Sequence, residues 1–436
     1  MRCRKGQKLW QKAKKIIPGG TQLLSKTSEQ FLPEYWPSYY KKAKGISVWD
    51  LDGNKFLDFS IMGVGSCILG YADPDVNKDV KKVINNGNMC TLNSPEEVEL
   101  AELLLKIHPW AGKVRYARTG GEAMAIAVRI GRAFSGKDKI AFCGYHGWHD
   151  WYLSANLAGD KNLDGHLLPG LKPLGVPRGL YGTAFPFTYN HIEELEVIIK
   201  NNEIGVIVME PIRSYYPENG FLEKVRTLAN KNNSVLIFDE ITSGFRMNIG
   251  GIHKILRVEP DIVVYAKAMS NGYPMAAVVG RENIMDKAEE SFISSTYWTE
   301  KIGPNAALAT IKKMKRENVP SHLIKIGEQI TNGWKEIANE CGLKIKISGI
   351  PPLTKFSFCY ENSQELITLF TQEMLERGFL AKDSVYVSYS HKETDVEIYM
   401  SAVKEVFKKI KKGIDTNKIS KMLKGPIAHT GFKRLT

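Results

Sequence analysis

From about residue 76 to 315 the chain alternates short apolar, β-branched runs with stretches whose apolar positions recur at helical spacing. The runs Lys139 to Cys143, Gly205 to Met209, Val235 to Phe238 and Ile262 to Tyr265 are too short for independent helices. They are also too uniformly apolar for half-exposed strands, so they predict strands buried on both faces. Between them, Ala123, Ile126, Ala127, Ile130 and Phe134 fall on one face of a helix. Strands separated by helices predict an α/β domain built on a mostly parallel sheet. Such sheets take ligands at the carboxyl ends of their strands, so the residues that follow each run come first in the search for chemistry.

The flanking regions differ. Ser47-Val48-Trp49-Asp50, the turn pair Asp52-Gly53 and Phe56-Leu57-Asp58-Phe59 predict a β-hairpin. The aromatic segment Phe31 to Tyr40 before it reads either as core or as the wall of a substrate mouth. From about 316 the pattern is again α/β. It closes on an amphipathic helix striped by Val396, Met400, Val403, Phe407 and Ile410, with Thr394 and Glu397 spaced as a capping box. The expected organisation is an N-terminal segment (1–75) shared between a small domain and the active-site mouth, a large domain (76–315) and a C-terminal small domain (316–436).

Composition narrows this picture. A chain of 436 residues with 43% hydrophobic and 25% charged residues can bury a sizeable core. No apolar run approaches the ~20 residues that cross a bilayer, and the basic stretch Met1 to Lys15 is not followed by the apolar segment of a secretory signal. A cytoplasmic protein without a membrane partner is expected. Cys3, Cys67, Cys90, Cys143, Cys341 and Cys359 are scattered without metal spacing, which predicts buried free thiols and no metal site. The net charge of +13 is spread among acidic residues, and its densest run, Lys408 to Lys424, reads as a solvated face. No nucleic-acid partner is implied.

The chemistry sits where the strand pattern places it. Asp239-Glu240 follows one run, Lys267 another, and Gly144-Tyr145-His146-Gly147 a third, while Arg118-Thr119-Gly120-Gly121-Glu122 opens a helix after Val114 to Ala117. A Thr-Gly-Gly turn at a helix start offers backbone N–H groups and a hydroxyl to a phosphate. A carboxylate at a strand end can keep a pyridine nitrogen protonated, a lysine can bond covalently to a carbonyl cofactor, and an aromatic ring can stack on it. A lone lysine or glycine turn says little, whereas the full set at successive strand ends is specific.

On these residues the chain resembles class III aminotransferases, and within them the glutamate-1-semialdehyde aminomutase-like proteins. The likeness runs from Ile17-Pro18-Gly19-Gly20 to about Ile410. It is sharpest over Leu236-Ile237-Phe238-Asp239-Glu240-Ile241-Thr242-Ser243-Gly244-Phe245-Arg246, then Pro260-Asp261 and Lys267. The resemblance implies the pyridoxal-phosphate (PLP) transferase fold of type I, with a mostly parallel seven-stranded sheet and a smaller α/β domain formed from the two termini. It implies PLP as cofactor, Lys267 as its Schiff-base lysine and Asp239 as partner of the ring nitrogen. It further implies Tyr145 stacked on the ring with His146 beside it, and Thr119, Gly120 and Gly121 around the phosphate. Thr296, in Ser295-Thr296-Tyr297, would reach the phosphate of a neighbouring subunit, which implies a homodimer with shared sites. Glu210 matches a glutamate near the site whose role varies in the class. His146 could equally be a structural histidine, and Glu240 with Arg246 reads as a surface or subunit ion pair.

The departures concern substrate. Where the mutases carry polar residues for a small carboxylate, this chain has Leu23 and Leu24, and it lacks their glutamate before Ser388 to His391. Arg118 replaces an asparagine, Arg213 follows another strand, and Tyr297-Trp298 is bulky. The expected activity is ping-pong transfer of an amino group from an amino-acid donor to an aldehyde or ketone, such as a sugar-derived or anionic acceptor. The two arginines would either grip that anion or pair with local carboxylates. The alternative is intramolecular glutamate-1-semialdehyde 2,1-aminomutase activity.

Overall fold

The computed structural model describes residues 4–166 and 169–432, so Cys3 lies outside the described residues. The chain divides into two units, residues 74–320 and residues 1–73 with 321–436.

The larger unit is organised by a seven-stranded sheet. Its spatial order is Lys113–Ala117, Ala276–Gly280, Ile262–Tyr265, Val235–Asp239, Ile204–Met209, Lys139–Cys143 and Ala184–Pro186. Ala276–Gly280 runs antiparallel to both neighbours, and the strands from Ile262–Tyr265 outward are mutually parallel. Every residue of Ile204–Met209, Val235–Asp239, Ile262–Tyr265 and Ala276–Gly280 is buried. That is why these segments read as unbroken apolar runs rather than alternating ones.

The helix Gly120–Ser135 covers one face. Thr119 caps its start, accepting from the Glu122 amide while the Glu122 carboxylate accepts from the Thr119 amide at 2.9 Å. Gly136, at φ +68°, ends it in the left-handed conformation that glycine takes without penalty. Ala123, Ile126, Ala127 and Ile130 are buried as the periodicity predicts, whereas Phe134, one residue from the end, is 40% exposed.

In the smaller unit the predicted hairpin forms between Ser47–Asp50 and Lys55–Phe59. It extends to a four-stranded sheet with Tyr40–Lys44 and, in parallel, Phe379–Ala381. Asp50 sets the turn, its Oδ1 accepting from the amides of Asp52 (2.9 Å) and Asn54 (2.8 Å). The aromatic segment splits: Phe31 stacks on Trp36 at 4.5 Å in a small core, while Tyr40 is exposed.

Two local expectations are corrected. The helix Glu393–Asp415 begins earlier than the Thr394–Glu397 box implies. The carboxylate of Asp395 accepts from the Lys392 amide at 2.9 Å and satisfies the helix start instead. The five described cysteines are free, yet only Cys143 is buried; Cys90 and Cys359 are exposed. Among the described residues no helix is long and apolar enough to cross a membrane.

Gly131 tests the packing. A glycine inside a helix costs about 1 kcal/mol relative to alanine, but a Cβ here would lie 2.9 Å from Val206 Cγ2. Gly131→Val should therefore destabilise the protein by about 1–3 kcal/mol through overpacking. Denaturant-unfolding midpoints measure this, and an unchanged or higher midpoint would refute the close helix–sheet contact.

Candidate active site

The parallel strands deliver their side chains at one edge of the sheet. Asp239 ends Val235–Asp239 and is 4% exposed. Its Oδ2 lies 2.8 Å from His146 Nδ1, and its Oδ1 accepts from the Ile241 amide at 3.0 Å. The other nitrogen of His146, Nε2, faces the Cys143 carbonyl at 3.2 Å. Both partners are acceptors, so a hydrogen on either ring nitrogen has an oxygen to meet.

Lys267 follows Ile262–Tyr265 with φ at +44°, a left-handed backbone that a non-glycine residue adopts at a cost. Its Nζ donates to Thr242 Oγ1 at 2.8 Å. Burial, then the charges of Arg213 and Arg246, lower its pKa to about 8 against the opposing pull of Glu210 and Asp239. Glu210, just past Ile204–Met209, accepts from the Tyr145 amide at 3.2 Å through Oε2. Both of its oxygens lie at 3.0–3.1 Å from Arg213 Nη1. Lys267, Asp239, His146, Tyr145 and Glu210 thus meet as one group.

At the Thr119-Gly120-Gly121 turn, the amides of Gly120 and Gly121 are first-turn donors with no intrahelical acceptor. A Cβ on Gly120 would meet Ile241 Cδ1 at 2.8 Å, and one on Gly121 would meet His149 Cε1 at 2.9 Å. The glycines keep this cradle open. Thr296 opens a short 3-10 turn, Thr296–Thr299, and is exposed.

Other positions depart from expectation. Glu240 and Arg246 are not a surface pair, for both are buried. Glu240 accepts from the Ile252 amide (2.5 Å), the His253 amide (3.1 Å) and His253 Nδ1 (2.6 Å). Arg246 Nε donates to the Thr242 carbonyl at 2.6 Å, beneath the threonine that holds Lys267. Arg118 clamps the 298–300 segment. Its Nη2 donates to the carbonyls of Trp298 (2.8 Å) and Glu300 (3.0 Å), and Nε lies 2.7 Å from Glu300 Oε1 without hydrogen-bond alignment. Both arginines therefore have local carboxylates.

Sequence reasoning gave no role to Thr242 or His149. Thr242 lies three residues beyond Asp239 in the same strand-end loop, a position that could have flagged it. His149, whose Nδ1 is buried with no hydrogen-bond partner among the described residues, had no local signal because its neighbour Gly121 is distant in sequence.

A mixed sheet of this order, with a lysine and a carboxylate at adjacent strand ends, is the fold of type I PLP-dependent transferases. Among solved structures, the FumI protein of Sphingopyxis sp. MTA144 in its PLP form superposes with a TM-score of 0.84 at 21% identity, covering 94% of this chain and 98% of that one. The family described as "Aminotransferase class-III" matches residues 33–382, and the chain belongs to it. The 3-aminobutyryl-CoA aminotransferase of Cloacimonas acidaminovorans is 30% identical over 94% of this chain and 99% of its own length. The glutamate-1-semialdehyde 2,1-aminomutase of Methanothrix thermoacetophila is 31% identical over 93% and 96%. The cofactor of this enzyme is accordingly pyridoxal 5′-phosphate. The site fits it: the glycine cradle suits a phosphate, Asp239 a ring nitrogen and Lys267 the aldehyde.

Two outcomes follow from the electrostatics. Because the Lys267 pKa is lowered to about 8, its reactive neutral form grows as pH rises through that value. Uptake of PLP by the apoenzyme, followed by visible absorbance, should accelerate over the same range. Arg213→Gln should move the midpoint upward by removing a positive neighbour. A wild-type midpoint at the ordinary lysine value would contradict this environment. Arg118→Ala should leave the Trp298 and Glu300 carbonyls unpaired, raising amide exchange across 296–303 at least tenfold, a loss of about 1.4 kcal/mol in local protection. Unchanged exchange there would dismiss the clamp.

Proposed function

We propose that this enzyme moves an amino group from an amino-acid donor to an aldehyde or ketone acceptor larger than glutamate-1-semialdehyde, in two half-reactions at Lys267. The observation that carries the reading is the Lys267 amine, lowered to about 8 and fixed by Thr242 next to the buried Asp239. Bound PLP supplies an electron-withdrawing ring that stabilises negative charge on the carbon beside the substrate nitrogen. Asp239, supported by His146, would hold the ring nitrogen protonated. Thr119, Gly120 and Gly121 would take the phosphate, and Tyr145 would lie against the ring. Lys267 would bond the cofactor and, once released, accept and return a proton at Nζ, a task suited to a pKa near the working pH.

The reading extends to a cytoplasmic homodimer. Phe292 (88% exposed), Leu92 (80%) and Trp148 (71%) are exposed apolar side chains of the larger unit, which a subunit interface would cover. Thr296 of the partner subunit would then reach the phosphate. For the acceptor, Arg213, paired with Glu210, is a quarter exposed, and a guanidinium at this place suits an anionic group. The Cloacimonas acidaminovorans relative, by its name, acts on a coenzyme A derivative. Such a bulky anionic substrate is compatible with this acceptor class, as is a sugar-derived ketone.

The test is donor dependence. Holoenzyme given carbonyl acceptors should turn over only with an added amino donor, and conversion of glutamate-1-semialdehyde alone should be at least a hundredfold slower than the best transamination, a difference of about 2.7 kcal/mol in barrier. Donor-free formation of 5-aminolevulinate at an ordinary enzymatic rate would establish the mutase instead.

A further inference from the structure

The larger unit contains a cavity of about 830 Å³ whose wall includes Trp110, Arg226, His253, Lys254, Arg257 and Arg281. Trp110 precedes Lys113–Ala117, Arg257 precedes Ile262–Tyr265, and Arg281 follows the antiparallel Ala276–Gly280. The cavity therefore lies at the edge where the parallel strands begin, opposite the edge that carries Lys267 and Asp239. Its size is that of a small-molecule site.

Three features mark the wall. Trp110 Nε1, Arg226 Nε and His253 Nε2 are buried with no hydrogen-bond partner among the described residues. The three nitrogens belong to residues of one wall, and each lacks the partner that a buried polar atom ordinarily has. His253 is itself 1% exposed, with its other nitrogen occupied by Glu240.

The second feature is charge. Asp261 serves Arg226 (3.0 Å) and Arg281 (3.2 Å), and Glu259 reaches Arg281 at 3.6 Å. Lys254 meets backbone carbonyls, those of Ile107 (3.1 Å) and Ile249 (3.3 Å), and Arg257 has no ion-pair partner among the described residues. Glu223 also lines the cavity. Two exposed cations at the rim are thus left without a carboxylate. The third feature is backbone: Arg257 sits at φ +57°, ψ +33°, a left-handed conformation that favours glycine. Arg257 thus forms the left-handed C-cap of the short helix His253–Leu256.

We propose that this cavity is a second binding site, for a phosphate-bearing small molecule. Arg257 and Lys254 take the phosphate at the rim, and Trp110 and His253 supply nitrogen partners at the inner wall. The site is separate from the cofactor phosphate cradle at Gly120 and Gly121.

Holoenzyme saturated with PLP is the right material, because its cofactor cradle is filled. The thermal unfolding midpoint is followed against inorganic phosphate, with chloride at matched ionic strength as control. A saturable rise in phosphate alone is expected, disappearing in Arg257→Gly and in Lys254→Ala but persisting in Arg213→Gln. Arg257→Gly keeps the fold because its backbone already suits glycine. A response equal in chloride, one that does not saturate, or one that survives both rim variants would overturn the site. Loss of the response in Arg213→Gln, with the rim variants unaffected, would place the phosphate at the active site and overturn it as well.

Discussion

A carboxylate taken out of water costs several kcal/mol unless charge or donors meet it, and the architecture of the catalytic edge follows from meeting that demand at Asp239. His146 and the Ile241 amide supply the donors. Because His146 comes from the turn after Lys139–Cys143, its contact spans the intervening strand Ile204–Met209. The same turn donates the Tyr145 amide to Glu210, at the end of that intervening strand. One buried carboxylate thereby fixes three strand ends against one another.

The amine of Lys267 inherits its character from this arrangement. It lies among two guanidinium groups and two carboxylates, so its proton affinity is a balance that no single neighbour dictates, with burial as the largest influence. The strained backbone at Lys267 is held by well-buried surroundings: Ala268, Met269 and Ser270 are wholly inside. The rigid sheet carries the cost of a residue presented at an unfavourable torsion.

The strands and the reactive residues were legible because both are local properties: a β-branched run declares its own burial, and chemistry follows it directly in sequence. What escaped were relations across the fold. Glu240 and Arg246 resembled solvent-facing charges, yet Glu240 meets His253 at the start of the helix His253–Leu256 and Arg246 turns back onto the Thr242 carbonyl, contacts that no periodicity encodes. Arg118 looked available to a substrate until the 298–300 segment, almost two hundred residues away, came to rest on it. The helix start at Lys392 was missed for a smaller reason: Asp395 competes with Thr394 and Glu397 as a cap, and spacing alone does not rank them.

Asp239 and Glu240 are adjacent acids with opposite allegiances. One turns to His146 at the catalytic edge, the other to Ile252 and His253 on the far side. Side chains along a strand alternate between faces, so a shift of one residue exchanges them. Substitution within Val235–Phe238 only alters packing, but a one-residue insertion or deletion there would present the wrong acid to each environment while leaving the composition of the core almost untouched. This strand is therefore more sensitive to a change in length than to a change of one apolar residue for another.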